Sequence, residues 1–330
     1  MKAPVLTGLL MVVLLFLPPL LFPPRPDAAP AEPESNPPVI GEEPAPRLDD
    51  ETTLRVWDGE KVWETTVAEY LPGVVRGEMP AVFEPAALAA QAVAERTYIF
   101  YHLRGGPKAA HPDADVCTDP SCCSAWLSLE AARERWGDHF EEYNAKIQRA
   151  VEETDGQIIL YQGVPILAAF HSSSAGATAN SGEVWVSDLP YLRSVASPES
   201  GDSVPNYYSA VTLSADEFRS TFLASHPDAD LSGDAGGWIT DVTQNDSGRV
   251  EHLTVGGVTV TGGEVRGLFG LRSTSFTVSA EGEEITFRVT GYGHGVGMSQ
   301  YGANELARQG KSWQEILQWY YTDVTIGPAA

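Results

Sequence analysis

Apolar positions come in short blocks along most of the chain, and their period changes from block to block. Thr53–Trp57 and 61–67 alternate on either side of Asp58-Gly59, which predicts a β-hairpin. Residues 84–103 switch to a helical period. Pro85 suits a first turn, Ala89, Val93, Phe100 and Leu103 share one face, and Gly105-Gly106-Pro107 ends the run. Ser128 caps a helix predicted to reach about Trp136, and 140–151 predicts another. Gln157–Tyr161 and 164–170 predict a second hairpin, after which 171–210 is rich in Ser, Gly and Pro and predicts a long functional loop. Ser214 with Glu217, and Ser312 with Glu315, make capping boxes; the second opens a final helix striped by Trp313, Ile316, Leu317 and Tyr320. From 238 to 289 the alternation predicts several short strands. Nothing repeats and no clean break falls inside 52–327. The pattern predicts one α+β domain, hairpins and small sheets around a long helix, with scope for two lobes.

The N-terminus differs. Residues 5–22 are apolar and uncharged behind Lys2, as in a membrane anchor or signal. Pro30 spoils the small-residue stretch 28–31 as a cleavage site, so 1–22 is expected to stay as an anchor, with a cleaved signal as the other reading. Residues 23–51, rich in Pro and Glu, are expected to form a disordered linker. Both readings place the body outside the cytoplasm. The net charge of −24 argues against nucleic acid as a partner, since phosphate binding requires basic patches. All three cysteines lie in 117–123, a local feature and not a disulfide framework for a domain of this size.

Five features could carry chemistry. Glu78, between Gly77 and Met79-Pro80, reads as a carboxylate in a loop ahead of the long helix. Its apolar neighbours would raise its pKa, as a general acid for glycosidic bonds requires. Arg96 interrupts the apolar stripe of that helix, so it either snorkels or orients a carboxylate or substrate oxygen. His111, Cys117, Cys122 and Cys123 are zinc-ligand types at a non-standard spacing, with Cys122 the weaker fourth; a Cys117 disulfide to either neighbour is the competing reading. His171-Ser172-Ser173-Ser174 lies in no Gly-x-Ser-x-Gly elbow, and a loop of hydroxyls for sugar oxygens is as good a reading as a serine nucleophile. The run 291–302 alternates Gly with Tyr, His and Val and lacks the dinucleotide order, so its backbone must approach another segment or a ligand closely.

Together these stretches resemble the stage II sporulation protein D family (SpoIID/LytB domain). The matching residues are Gly77-Glu78-Met79-Pro80, the helix from Ala87 to Tyr98, Phe170-His171-Ser172-Ser173-Ser174-Ala175-Gly176-Ala177-Thr178, Pro190-Tyr191-Leu192 and 293–303, in family order. The resemblance implies a lytic transglycosylase that cleaves between N-acetylmuramic acid and N-acetylglucosamine in peptidoglycan strands stripped of peptide, acting alongside an amidase. It implies Glu78 as the catalytic acid, then base. Substrate contacts are expected from Arg96, His171, Ser172, Ser173, Thr178, Tyr191, His294, Gln300 and Tyr301. Zinc is expected on His111, Cys117 and Cys123, with Cys122 where such sites often carry a His, and the usual Cys-Gln pair is Cys123-Ser124 here. Family members described as amidase enhancers imply a second role, wall binding without chemistry, and a zinc hydrolase is a third. The expected geometry gathers Thr178, Tyr191 and 291–302 around Glu78, with Arg96 not tightly paired to it.

Overall fold

The computed structural model describes residues 47–329. The expected anchor, 1–22, and most of the expected linker lie outside the described residues. Among the described residues no helix is long and apolar enough to cross a membrane. The end of the expected linker is not disordered: Leu48–Glu51 forms a short helix, α1, belonging to the folded body. The reason is Asp49, a fully buried carboxylate that closes on Arg96.

β1 (Thr53–Trp57) and β2 (Val62–Thr66) make the expected hairpin, and β3 (Val116–Cys117) adds in parallel to β1. The chain then enters α2 (Val67–Glu78), capped by Thr66, whose hydroxyl accepts from the Glu69 amide. Periodicity does not announce this helix, because Pro72, Gly73 and Gly77 lie inside it. α3 (Pro85–Gly105) is buried on nearly every face from Ala87 to Thr97. Its alanines let α2, α5 (Phe140–Glu153, after α4 at Leu129–Trp136), β4 (Gln157–Tyr161) and the two last helices of the chain pack closely around it. A single stripe is therefore too narrow an account of this helix. The second hairpin is shorter than expected: β5 is only Val164–Pro165, and β6 (Phe170–His171) pairs elsewhere.

Two separate apolar cores result. The first surrounds α3. The second lies between β7 (Tyr208–Ser214), α6 (Ala215–Ser225), β8 (Ile239–Gln244), β9 (Val250–Val255), β10 (Val258–Thr261), α7 (Gly262–Leu268), β11 (Phe276–Glu281) and β12 (Glu284–Thr290). Its strands form antiparallel sheets in the orders β10-β9-β8 and β11-β12-β7. At its centre Phe218 stacks on Phe269, with ring centroids 4.7 Å apart. The glycine-rich run then returns the chain to the first core through β13 (Met298–Ser299), α8 (Gln300–Arg308), α9 (Trp313–Tyr320) and β14 (Thr325–Pro328), which pairs with β4.

Candidate active site

Glu78 is the last residue of α2, not a loop residue. Two glycines of that helix make its surroundings. A Cβ at Gly73 would lie 2.1 Å from the Trp126 indole nitrogen, and one at Gly77 would lie 2.5 Å from the Ala125 carbonyl oxygen. Segment 125–127 can therefore lie directly against α2. The Leu127 amide donates to the Gly73 carbonyl at 2.9 Å. The Ala125 amide donates to Glu78 Oε1 at 2.6 Å. From the other side Gln300 Nε2 donates to the Glu78 carbonyl at 3.2 Å. Burial raises the Glu78 pKa above the ordinary carboxylate value, and the Ala125 and Gln300 donors offset part of that rise.

Glu78 opens onto a cleft of about 760 Å³ whose lining includes Tyr98, Cys122, Cys123, Ser124, His171, Ser172, Trp185, Tyr292, His294 and Gln300. Among the described residues, Glu78 is its only acidic lining residue. The far wall is made by the glycine-rich run against 169–174. Gly291, Gly293, Gly295 and Gly297 all have positive φ, and a Cβ on Gly297 would lie 2.0 Å from the Ala169 carbonyl oxygen. The close approach expected of this run is thus to protein: Met298 and Ser299 pair in parallel with Phe170 and His171, and Tyr292 bridges Ser173. Both histidines of the wall are held neutral. His171 bonds Val296 O through Nδ1 at 3.2 Å and the Ser174 hydroxyl through Nε2 at 2.7 Å, and burial lowers its pKa well below the usual value. His294 Nδ1 accepts from the Val296 amide at 3.0 Å, and its pKa is pushed down to about 4, by burial first and by Arg266 next.

Of the expected substrate contacts, His171, Ser172, His294 and Gln300 thus line the cleft with Glu78, and five others do not. Arg96 is completely buried and its donors are all engaged. Nε and Nη2 clasp Asp49 at 2.8 and 2.7 Å, Nη1 reaches Thr154 Oγ1 and Gln157 O, and Nη2 also reaches Val151 O. The expectation that it touches substrate is corrected: its partner is a carboxylate of the presumed linker, and it pins α1 and β4 to α3. Thr178 is also buried, its hydroxyl accepting from the Val195 amide at 2.9 Å. The Tyr191 hydroxyl accepts from the Leu167 amide at 3.1 Å beneath the wall. Ser173 is 2% exposed and acts through its backbone bridge to Tyr292. Tyr301 packs edge-on against Phe83 with centroids 4.9 Å apart, outside the cleft lining. These four position the walls instead of facing a ligand.

His111, Cys117, Cys122 and Cys123 converge, with potential ligand atoms all within 4.8 Å of one another and every thiol free. His111 Nδ1 bonds the Ala114 carbonyl at 3.0 Å, which leaves Nε2, 3.5 Å from Cys123 Sγ, as the ligand atom. Three thiols and an imidazole whose second nitrogen is already oriented fit a tetrahedral zinc shell. Burial pushes the Cys117 thiol up to about 12, a rise that a bound dication would reverse.

Composition and motif together overlooked Glu95. Its side chain is 1% exposed, Oε1 accepts from Gln91 Nε2 at 3.0 Å and Oε2 from the Ser124 hydroxyl at 2.9 Å. Adjacent residues 124 and 125 thus hold two carboxyls, Glu95 and Glu78. Burial first, and the Glu78 charge second, raise the Glu95 pKa well above normal. The available signal was an acid four residues after Gln91 inside an alanine run. Glu199, also overlooked, ties the wall together by accepting from the Ser174 amide and the hydroxyls of Ser197 and Ser299.

A protein-family model described as "Stage II sporulation protein" (SpoIID) matches residues 58–161. The stage II sporulation protein D of Bacillus subtilis (strain 168) is 37% identical over 262 residues, 79% of this chain and 74% of that protein. Its counterpart in Bacillus amyloliquefaciens is 38% identical over the same shares. The amidase enhancer of Bacillus subtilis is 28% identical over 303 residues, covering 78% of this chain and 40% of that protein.

Proposed function

The chain belongs to the stage II sporulation protein D family, and from that premise we propose that it is a lytic transglycosylase of peptidoglycan with Glu78 as its one acid–base group. One observation carries the reading: a cleft with a single lining carboxylate among the described residues, its pKa raised by burial. Glycosidases that add water use two carboxylates facing the scissile bond. A single carboxyl suffices when the substrate supplies the other groups. Protonated Glu78 gives its proton to the leaving glycosidic oxygen while the acetamido group of the muramic acid supports the oxocarbenium-like centre. Ionised Glu78 then takes the proton of the 6-hydroxyl of the same sugar, and that oxygen closes a 1,6-anhydro ring. The Ala125 amide orients the carboxyl throughout. Ser172 and Gln300 present polar groups to the sugar, His171 holds the wall behind them through Val296 and Ser174, and Trp185 offers an aromatic face.

His111, Cys117, Cys122 and Cys123 would hold a zinc ion. With four protein ligands its contribution is to fix the 117–125 loop, not to activate water. The substrate lies outside the membrane, so the reading includes export, for which residues 5–22 are the provision in the sequence. The likeness to an amidase enhancer supports a further part of the reading, that a partner amidase works on the same strands.

The test is mass spectrometry of peptide-free glycan strands after incubation with wild type and Glu78→Gln. Anhydro-ended fragments from wild type alone are expected. Reducing ends would show a hydrolase. No fragments at all, with amidase stimulation intact in Glu78→Gln, would leave only the enhancer role.

A further inference from the structure

Cysteines bind zinc as thiolates and histidine as the neutral imidazole. The Cys117, Cys122, Cys123 and His111 set therefore leaves one negative charge uncompensated around a dication. His111 and Cys117 are buried, and a buried charge without a counter-charge is costly. The surroundings add to the need. Asp58 and Asp119 line a pocket of about 330 Å³ together with His111, Cys117 and Cys122. Asp58 accepts from the amides of Glu60 and Lys61, and Asp119 from the amide and hydroxyl of Ser121, so no cation neutralises either through these bonds. Arg55, on the strand that pairs with β3, is taken by Asp115 at 2.9 Å. His102 is no counter-ion either: burial first, and Lys108 next, push its pKa down to about 4.

Lys108 remains. It lies on the stretch between α3 and the cluster, and among the described residues it makes no ion pair with a carboxylate, in a chain with 45 acidic against 21 basic side chains. Its Nζ donates to the Cys122 carbonyl and, at 2.6 Å, to the Tyr98 hydroxyl. That hydroxyl donates in turn to the Cys122 carbonyl at 3.4 Å. We propose that Lys108, braced by Tyr98, is the counter-charge of a thiolate-rich metal shell. Cys122 creates the need, because a histidine in its place would leave the shell neutral, and the ammonium is bonded to Cys122 itself. Tyr98 is on α3 and lines the cleft, and Glu95, one turn earlier on that helix, holds Ser124. The metal loop is thus tied to α3 on both sides of Cys123. The inference rests on the reading of the four residues as metal ligands and not on the glycan chemistry.

The test measures zinc affinity of the full chain by competition with a chromogenic chelator. Lys108→Met, at a half-buried loop position, is expected to weaken zinc binding about tenfold or more, the scale for loss of an outer-shell partner. Lys108→Arg, which keeps the charge, should retain most of the affinity, and Tyr98→Phe should lose several-fold. In a Cys122→His background Lys108→Met should cost little. Lys108→Met binding as tightly as wild type overturns the proposal, as do equal losses in Lys108→Met and Lys108→Arg, or an undiminished loss in the Cys122→His background. If Cys122→His holds no zinc, the Arg and Met variants decide alone. A wild type that takes up no zinc ends the metal reading and this inference with it. Zinc binding indifferent to Lys108 removes the counter-charge alone.

Discussion

Replacing Asp49 by alanine should destabilise the protein severely while leaving the cleft chemically intact. Asp49 and Arg96 are both 0% exposed in their side chains. The substitution removes the clasp on Arg96, whose two shortest charge-assisted bonds, at 2.8 and 2.7 Å, are each worth about 1.5–3 kcal/mol, together with a longer Nε contact at 3.0 Å and the Gly156 amide bond at 3.4 Å. Arg96 keeps Thr154, Gln157 and Val151 as neutral partners, which holds the loss toward the lower end of the summed range. About 3–4 kcal/mol follows, the scale expected when a buried pair loses one member. At about 2–4 °C per kcal/mol for a domain slightly smaller than this one, the melting temperature should fall by about 10 °C. Urea unfolding and thermal melts of Asp49→Ala, Arg96→Met and the double variant supply the cycle; the double variant should recover part of the loss, because it leaves no orphaned charge. Glycan cleavage, assayed well below every melting temperature, should be retained by Asp49→Ala. A cost under about 1 kcal/mol for Asp49→Ala, or an Arg96→Met protein of wild-type stability that no longer cleaves glycan, would sink the structural reading and return Arg96 to the substrate.

Further outcomes follow from the two carboxyls and the cysteine loop. The proposed mechanism requires protonated Glu78, and its pKa is raised by burial, so the rate should fall as pH rises through a midpoint above the ordinary value of about 4.3; a descending limb at or below that value contradicts the assignment. Glu95 also has a raised folded pKa, so its contribution to stability is complete below the unfolded carboxylate value and is lost as pH climbs through the folded one. Glu95→Gln should therefore flatten the alkaline decline in urea midpoint relative to wild type, and parallel curves would refute the claim. Treatment of the full chain with a strong zinc chelator should lower the melting temperature before it touches kcat, whereas loss of activity at unchanged melting temperature would indicate a reacting metal.

What the sequence disclosed and what it withheld divide along physical lines. Local devices were legible: the Asp58-Gly59 hairpin, the Ser128 cap, and the capping boxes at Ser214 and Ser312 all stand as expected, since each is decided within a few residues. The clustering of His111 with three cysteines was legible too, because their spacing in the chain is short. Helix α2 was not, since Pro72, Gly73 and Gly77 weigh against a helix locally. Those two glycines are there for Trp126 and Ala125, some fifty residues on, a contact no window along the chain contains. Arg96 was correctly singled out as a charge needing a partner. Its partner was missed because Asp49 lies 47 residues upstream, in a stretch whose proline and acid content reads as linker. Thr178 and Tyr191 were recognisable by their motifs, but only coordinates show that both hydroxyls are engaged by backbone amides.

The arrangement around Glu78 explains why so much of the chain is spent on one carboxyl. A general acid must be partly desolvated to keep its proton, and partial desolvation leaves it free to swing or to ionise unless something holds it. Here the holder is the amide of Ala125, two residues after Cys123. Cys117, Cys122 and Cys123 converge on His111, Ser124 is bonded to the buried acid Glu95, and Leu127 is bonded to Gly73. Segment 117–127 is thus fixed at three places within eleven residues, and the Glu78 carboxyl takes its orientation from that segment. The opposite wall is fixed independently, by glycines pressed onto 169–174 and by Glu199 beneath them. The aromatic cluster of the second core is built from 215–289. Damage to that core should reach the cleft through Arg249, which lies against Gly295 and donates to the Ala177 carbonyl at 3.3 Å, and through Arg272, whose carbonyl accepts from the Gly293 amide at 2.9 Å and whose guanidinium lies over the Tyr292 ring.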